Sequence, residues 1–449
     1  MTRRLSLTGL AALSLLAVPA HAQAGRLAFE DFRLDNGLRV ILAPDPAVAT
    51  VAVNVWYDVG SRDERPGRTG FAHLFEHMMF QGSANVGKGE HFVLVERAGG
   101  DLQNGTTDWN RTNYYQTLPS NRLNLGLWLE ADRMRSLAVT QENFDNQRLV
   151  VKEERRERID NQPYAGAMWQ GLIGVFNTGT CFGYGHEIIG SFADLEAAPT
   201  EDVQQFFRTY YAPNNATLVV AGGFDPAEAK GLIRQYFGEI PSAPAPQRPT
   251  CTEPFSHLPV TKTVEDPRAP LPAVFVVYGL PAQDEADFYA LELLNGILAV
   301  GETSRLQDRM VDQEKAALSV DAIFLEHRGP GEAFYWITAA QGATNERLLQ
   351  IFDEEIAKVA QNGVTAEELE KAKNQRRAQV VFERQTPHGT AEALQHAVHF
   401  HGGPQAADAK LARYLSVSAE DVRRAAERWL SVRNRAVVNV VPATAAGQE

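Results

Sequence analysis

The sequence predicts an α+β protein of two homologous domains, each a mostly antiparallel sheet packed with helices, joined by a proline-rich linker. Three observations lead there. The segment EDVQQFFRTYYAPNNATLVVAG from Glu201 is echoed by EDVRRAAERWLSVRNRAVVNVV from Glu420, at a constant offset of 219 residues. Each reads as an amphipathic helix running through a turn into an apolar strand, so one unit has been duplicated. Between about Gly238 and Pro272 the composition shifts to IPSAPAPQRPTCTEPFSHLPVTKTVEDPRAPLP, whose prolines exclude a long helix and favour an extended connection. Upstream of the echoed segments, an apolar strand precedes a long helical stretch in both halves: Val51 to Val59 then Thr69 to Gln81, and Ala273 to Tyr278 then Asp287 to Leu298. The expected division is a leader over residues 1–22, a first domain over 27–240, a linker over 241–270 and a second domain over 271–443.

The elements follow in chain order. A leader opens with Arg3 and Arg4, runs apolar from Leu5 to Pro19 and ends on Ala20-His21-Ala22, which reads as a cleaved secretory signal and predicts a periplasmic or secreted protein. Its apolar run is shorter than the roughly 20 residues a bilayer-spanning helix needs, and no later segment is apolar enough to span. In the first strand Val51, Val53, Val55 and Tyr57 alternate with Ala52, Asn54 and Trp56, the period of a sheet with one buried face. Thr365, with Glu368 three residues on, opens a long helix with a capping box.

Composition bounds the function. With 449 residues, 44% of them hydrophobic, the chain has material for more than one core. Its formal net charge of −13 becomes −15 once Arg3 and Arg4 leave with the leader, which argues against a nucleic-acid partner. The two cysteines, Cys181 and Cys251, form either one disulfide in an oxidising compartment or two separate buried thiols, and they lie too far apart for a cysteine zinc site.

The chemistry sits in His73-Leu74-Phe75-Glu76-His77. Two histidines four apart on a helix project from one face and can hold a single metal ion together. Glu76 reaches the edge of that face and can take a proton from an attacking water without being a ligand. The order H-x-x-E-H is the inverted form of the metallopeptidase motif. Apolar neighbours Phe71, Ala72, Leu74, Phe75, Met78, Met79 and Phe80 leave the histidines few solvated positions, and buried histidines need a metal or strong hydrogen-bond partners. A catalytic zinc usually takes a third protein ligand. It is sought in NQRLVVKEERRERID, where Glu154 follows Val150 and Val151 by one helical turn at the edge of an apolar face; periodicity prefers it only mildly to Glu153. Arg155, Arg156 and Glu157 read as a solvated face laced with ion pairs.

His73-Leu74-Phe75-Glu76-His77, followed after 76 intervening residues by Glu154 in VVKEERR, resembles the pitrilysin, insulysin and mitochondrial-processing-peptidase family of inverted-motif zinc peptidases. DNGLRVILAPD, GGDLQNGTTDWNRTNYY, EADRM and YYAPNNATLVVAGGFD match the same family, and the resemblance runs from about Phe29 to Pro442. It implies a zinc endopeptidase with one ion per chain, His73, His77 and Glu154 as ligands and Glu76 as general base. It also implies that the strand around Asn104, Gly105 and Thr106 pairs with the peptide substrate, Asn104 holding the backbone near the metal. Gly105 stands where family members more often carry alanine, a departure expected to loosen that edge. Arg305 matches a substrate-gripping arginine of the second domain, but the matching tyrosine position holds Leu318.

Shorter family members resemble half of a clamshell and pair with a second chain. The expected partner is therefore a related chain lacking the histidines, or a second copy. The second domain, with Leu291-Glu292-Leu293-Leu294-Asn295 in place of the motif, reads as scaffold and substrate wall. Two other classes of function remain: a non-catalytic scaffold subunit with a degenerate site, and a small-molecule metallohydrolase. His396, His399 and His401, just before Gly402-Gly403, invite a second metal site but read more simply as histidines at the negative end of a helix.

Overall fold

The structure is a computed structural model that describes residues 26–443. The leader lies outside the described residues. The first half builds a six-stranded sheet from β1 (Glu30–Arg33), β2 (Arg39–Pro44), β3 (Thr50–Tyr57), β4 (Asp101–Thr107), β5 (Thr112–Pro119) and β6 (Ala216–Gly222), in the order β1-β2-β6-β3-β5-β4. The second builds a five-stranded sheet from β7 (Val260–Asp266), β8 (Ala273–Ala282), β9 (Ala317–Leu325), β10 (Pro330–Ala339) and β11 (Arg435–Pro442), in the order β7-β11-β8-β10-β9. Remove β1 and the two orders superpose strand for strand, with one parallel pair in each, β2 with β6 and β7 with β11. The duplication predicted from the repeated segments is thus a duplicated sheet.

Two features depart from the sequence reading. The stretch expected as linker over 241–270 contains β7, an edge strand registered against β11 from Val260 opposite Ala436 to Asp266 opposite Pro442. Nothing local marks it, because its only sheet partner lies near the far end of the chain. The second departure is an exchange of helices. Ala165–Gly174 of the first half packs on β8 and β11 of the second sheet, burying Ala167 and Leu172 with Phe275, Val277 and Val438. Pro387–His401 of the second half packs on β3 and β6 of the first sheet, burying Ala391 and Leu394 with Ile41, Ala52 and Val219. The predicted alternation in β3 therefore has two buried faces. Val51, Val53, Val55 and Tyr57 join the main core of the first half. On the other face Asn54 and Trp56 are buried too, and both donate to Glu392 of the exchanged helix, at 2.5 and 3.4 Å.

Cys181 and Cys251 form a disulfide that ties the first half to the connecting segment. Closing a loop of 70 residues restricts the unfolded chain by about 4 kcal/mol in the chain-entropy account. Thr365 and Glu368 make the expected capping box on Ala366–Glu383. Among the described residues no helix is long and apolar enough to cross a membrane.

Candidate metal centre

The motif occupies the short helix Phe71–Met78, which packs against β4 and β5. Its start is built by backbone geometry. Gly70, at φ 88°, takes the left-handed conformation, and a Cβ there would meet the carbonyl oxygen of Ile189 at 2.6 Å, so only glycine fits. No capping side chain comes from Gly70. Instead the buried carboxylate of Glu64 accepts from the amides of Gly70 and Ala72, each at 2.8 Å, satisfying helix-end donors that would otherwise be orphaned. Tyr114 on β5 donates its hydroxyl to the carbonyl of Phe75 at 2.9 Å, pinning the middle of the helix to the sheet. Sequence reading passed over both groups; an acid six residues ahead of the helix-opening Gly70 was the one available signal for Glu64.

The helix turns His73 inward, 9% exposed, with the ring of His77 edge-on to it at 4.9 Å between centroids. Burial, and then the neighbouring His77, lower the His73 pKa to about 4. At neutral pH its imidazole is uncharged and carries a free lone pair, the form a metal requires.

The third group comes from helix Gln141–Arg155, capped by Thr140 accepting from the Asn143 amide. Its packed stripe is Phe144, Gln147 and Val151, and Glu154 continues that spacing toward the motif helix. Val150, used above to place the stripe, is exposed, as is Glu153, which pairs with Arg156. Glu154 Oε2 lies 3.5 Å from His73 Nε2 and 3.1 Å from His77 Nε2, and this buried oxygen has no hydrogen-bond partner. Ligand atoms of a tetrahedral zinc with bonds of about 2.0–2.1 Å sit about 3.3 Å apart, so the spacing and the orphaned oxygen both fit a shared cation. Arg158, one turn on, takes Oε1 at 3.1 Å and aims Oε2 at the histidines; it too went unnoticed in the sequence, although it stands four residues after Glu154 in the same run.

Glu76 also comes within 4.8 Å of both histidine nitrogens, so proximity alone offers two carboxylates for one ligand position. Electrostatics separates them. Burial raises Glu154, but His77, His73 and Arg158 outweigh it and hold the carboxyl below its usual range, as a ligand that stays ionised. Burial raises Glu76 above its usual range despite opposing pulls from Thr107 and His77, as suits a group that accepts and releases a proton.

The remaining predicted residues divide. β4 is the free edge of the first sheet, and Asn104 is exposed on it opposite Tyr115. Gly105 faces the motif helix: a Cβ there would lie 3.0 Å from Glu76 Cγ and 3.1 Å from the Tyr114 ring. The glycine expected to loosen the edge instead makes room for Glu76. Thr106 has its amide bonded to Asn113 Oδ1 at 3.1 Å and its carbonyl to Arg111 at 2.9 Å. Arg305 is not brought to the histidines. It opens a short helix that packs on second-half elements, and its guanidinium is bidentate to Glu368 at 2.6 and 2.7 Å. Leu318 stands exposed on edge strand β9.

Fold and site together describe a duplicated scaffold in which the first half alone, among the described residues, carries the H-x-x-E-H helix and its facing Glu154. Comparison with known proteins agrees. Residues 39–167 match the family described as Insulinase (Peptidase family M16), and residues 198–376 match the Peptidase M16 inactive domain. Zinc protease PqqE of Helicobacter pylori is 30% identical over 84% of this chain and 85% of its own length. A crystal structure of a protease from Helicobacter pylori superposes with a TM-score of 0.87 at 25% identity, covering 93% of this chain and 100% of the other. The periplasmic protease PqqL from Escherichia coli shares the fold at a TM-score of 0.71 and 20% identity; 92% of this chain aligns with 47% of that one. The chain belongs to the insulinase family of peptidases, peptidase family M16.

Proposed function

We propose that the chain is a zinc-dependent endopeptidase, exported to the periplasm or beyond, that hydrolyses peptides or small unfolded proteins. The observation that carries this reading is the convergence of His73 and His77 Nε2 on the unpartnered Oε2 of Glu154, with the half-buried Glu76 alongside. His73, His77 and Glu154 are the ligands. When bound, zinc supplies Lewis acidity that polarises a carbonyl and brings the pKa of water near 7. Glu76 orients the attacking water, takes its proton on a carboxylate oxygen, and returns a proton to the nitrogen of the departing amine. Its raised pKa suits both halves of that cycle.

The β4 edge, with Asn104 and Gly105, pairs with the peptide backbone, which gives affinity with little dependence on side chains. Thr106, its amide and carbonyl already engaged, positions the end of the strand. The chain works as half of a clamshell, closed by a related chain without the histidines or by a second copy. Its alignment with about half of PqqL, 47% of that chain, supports such a second half. Arg305, held by Glu368 away from the histidines, then acts on substrate only across such an assembly. Leu318 in the expected tyrosine position favours a second reading, a subunit that leans on its partner for turnover.

The test is a mixed peptide library read by mass spectrometry, with the chain stripped of metal, restored with zinc, and assayed alone and with any neighbouring related chain. Zinc-restored cleavage inside peptides is the expected result. Cleavage indifferent to chelation, or none in any combination, would overturn the reading.

A further inference from the structure

A second cluster of ligand-type atoms lies outside this site. Pro387–His401 is the helix that the second half lends to the first sheet; His401 is its last residue, ahead of Gly402 in the left-handed conformation, and His396 stands a little over one turn earlier. The sequence could not reveal what faces them: Glu326, which directly follows β9. His396 Nε2 lies 2.9 Å from Glu326 Oε2, and His401 Nε2 lies 3.0 Å from Oε1.

The cluster has the donor types of the His73 site, two imidazoles and a carboxylate, but here each histidine faces a different carboxylate oxygen. Glu326 Oε1 and His401 Nε2 are both buried, and neither has a hydrogen-bond partner although they are 3.0 Å apart. At that separation the two atoms need a positive centre between them, and a bound cation would supply it where a proton on the imidazole does not. Their spacing is near the roughly 3.3 Å separating ligand atoms around a tetrahedral zinc. Lys410 Nζ lies 3.1 Å from Oε2, the oxygen that also faces His396, and leaves Oε1, which faces His401, as the oxygen open to an ion.

We propose that Glu326, His396 and His401 form a second metal site that takes a divalent transition ion of the zinc class. Two nitrogens and one carboxylate oxygen make a three-ligand set that leaves one tetrahedral position vacant. The cluster lines a cavity of about 580 Å3, which gives that position an outlet.

The location assigns the ion a structural task. Arg328, two residues past Glu326, bonds Asp58 at 2.5 Å, the carbonyl of His399 at 2.8 Å and, through its amide, Asn110 at 3.0 Å. The Glu326 loop is thus a crossing point between the halves, and an ion there ties it to the end of the exchanged helix.

The experiment uses the full-length protein with the first site removed, His73→Ala and His77→Ala, dialysed against low-micromolar zinc and analysed for bound metal and thermal unfolding. About one zinc per chain should remain, zinc should raise Tm, and cobalt should give the visible absorption of a tetrahedral site. Adding Glu326→Gln should abolish all three. Glu326→Gln alone keeps shape and charge-neutral hydrogen bonding, and circular dichroism and gel filtration confirm that it folds; in that background one zinc should be lost relative to wild type. Less than 0.1 zinc per chain in the His73→Ala, His77→Ala protein, with no shift in Tm, would overturn the proposal. If the first site bound no zinc, those two substitutions would leave the metal content at its wild-type value while Glu326→Gln still lowered it, so the two failures are distinguishable.

Discussion

The two halves share a sheet order and a pair of helices laid across it, yet they finish the same position in opposite ways. In the first half the motif helix Phe71–Met78 meets Gln141–Arg155, and the contact is made by two histidines and a carboxylate with an unpartnered oxygen. In the second, Ala286–Ala299 meets Ala366–Glu383, and at the 219-residue offset Glu292 stands where His73 does. Glu292 is paired with Arg376 at 2.5 Å and accepts from the Tyr414 hydroxyl. One copy is electrostatically closed and the other is left open. A duplicated scaffold can thus separate roles: the closed copy contributes stability and surface, while the open copy keeps the unsatisfied atoms on which chemistry depends.

That contrast can be broken by mutation. His77→Ala should reduce hydrolysis by about a thousandfold or more, since it removes a ligand rather than tuning one, with zinc affinity falling alongside. Glu292→Gln, at the closed position, should leave kcat/KM unchanged and lower stability by about 1–2 kcal/mol as Arg376 loses its charged partner. Larger in stability, though silent for the contrast in chemistry, is Cys181→Ser, which should cost up to about 4 kcal/mol in denaturant unfolding and match the effect of reductant on the wild type. The smallest effect is expected from Gly105→Ala. A methyl 3.0 Å from Glu76 Cγ must push the carboxylate aside by a few tenths of an ångström, so kcat should fall about threefold with KM little changed. An unchanged kcat would show that Glu76 has slack.

The parts legible in the sequence were those with local signals. The H-x-x-E-H spacing gives a helical face, the Thr365 capping box gives a helix start, and the repeated segments give the duplication. Glu154 was harder, because its stripe runs through Phe144, Gln147 and Val151 rather than through the apolar pair Val150-Val151, and Val150 is exposed. What stayed hidden depends on contacts between distant segments. β7 reads as linker because its partner β11 is almost at the other end of the chain. The second buried face of β3 requires a helix lent by the other half. Between Glu326 and the helix that His401 ends lie strand β10 and two further helices, and no periodicity connects the two residues. Arg305 carries the family pattern, yet local pairing with Glu368 decides where its charge goes.

The central claim, that Glu76 handles the proton beside a metal held by His73, His77 and Glu154, is tested most directly by measuring zinc content and peptide hydrolysis on one preparation of Glu76→Gln. The account predicts wild-type zinc content with hydrolysis reduced by about 10³-fold or more. Hydrolysis at the wild-type rate, or zinc lost together with activity, would contradict it.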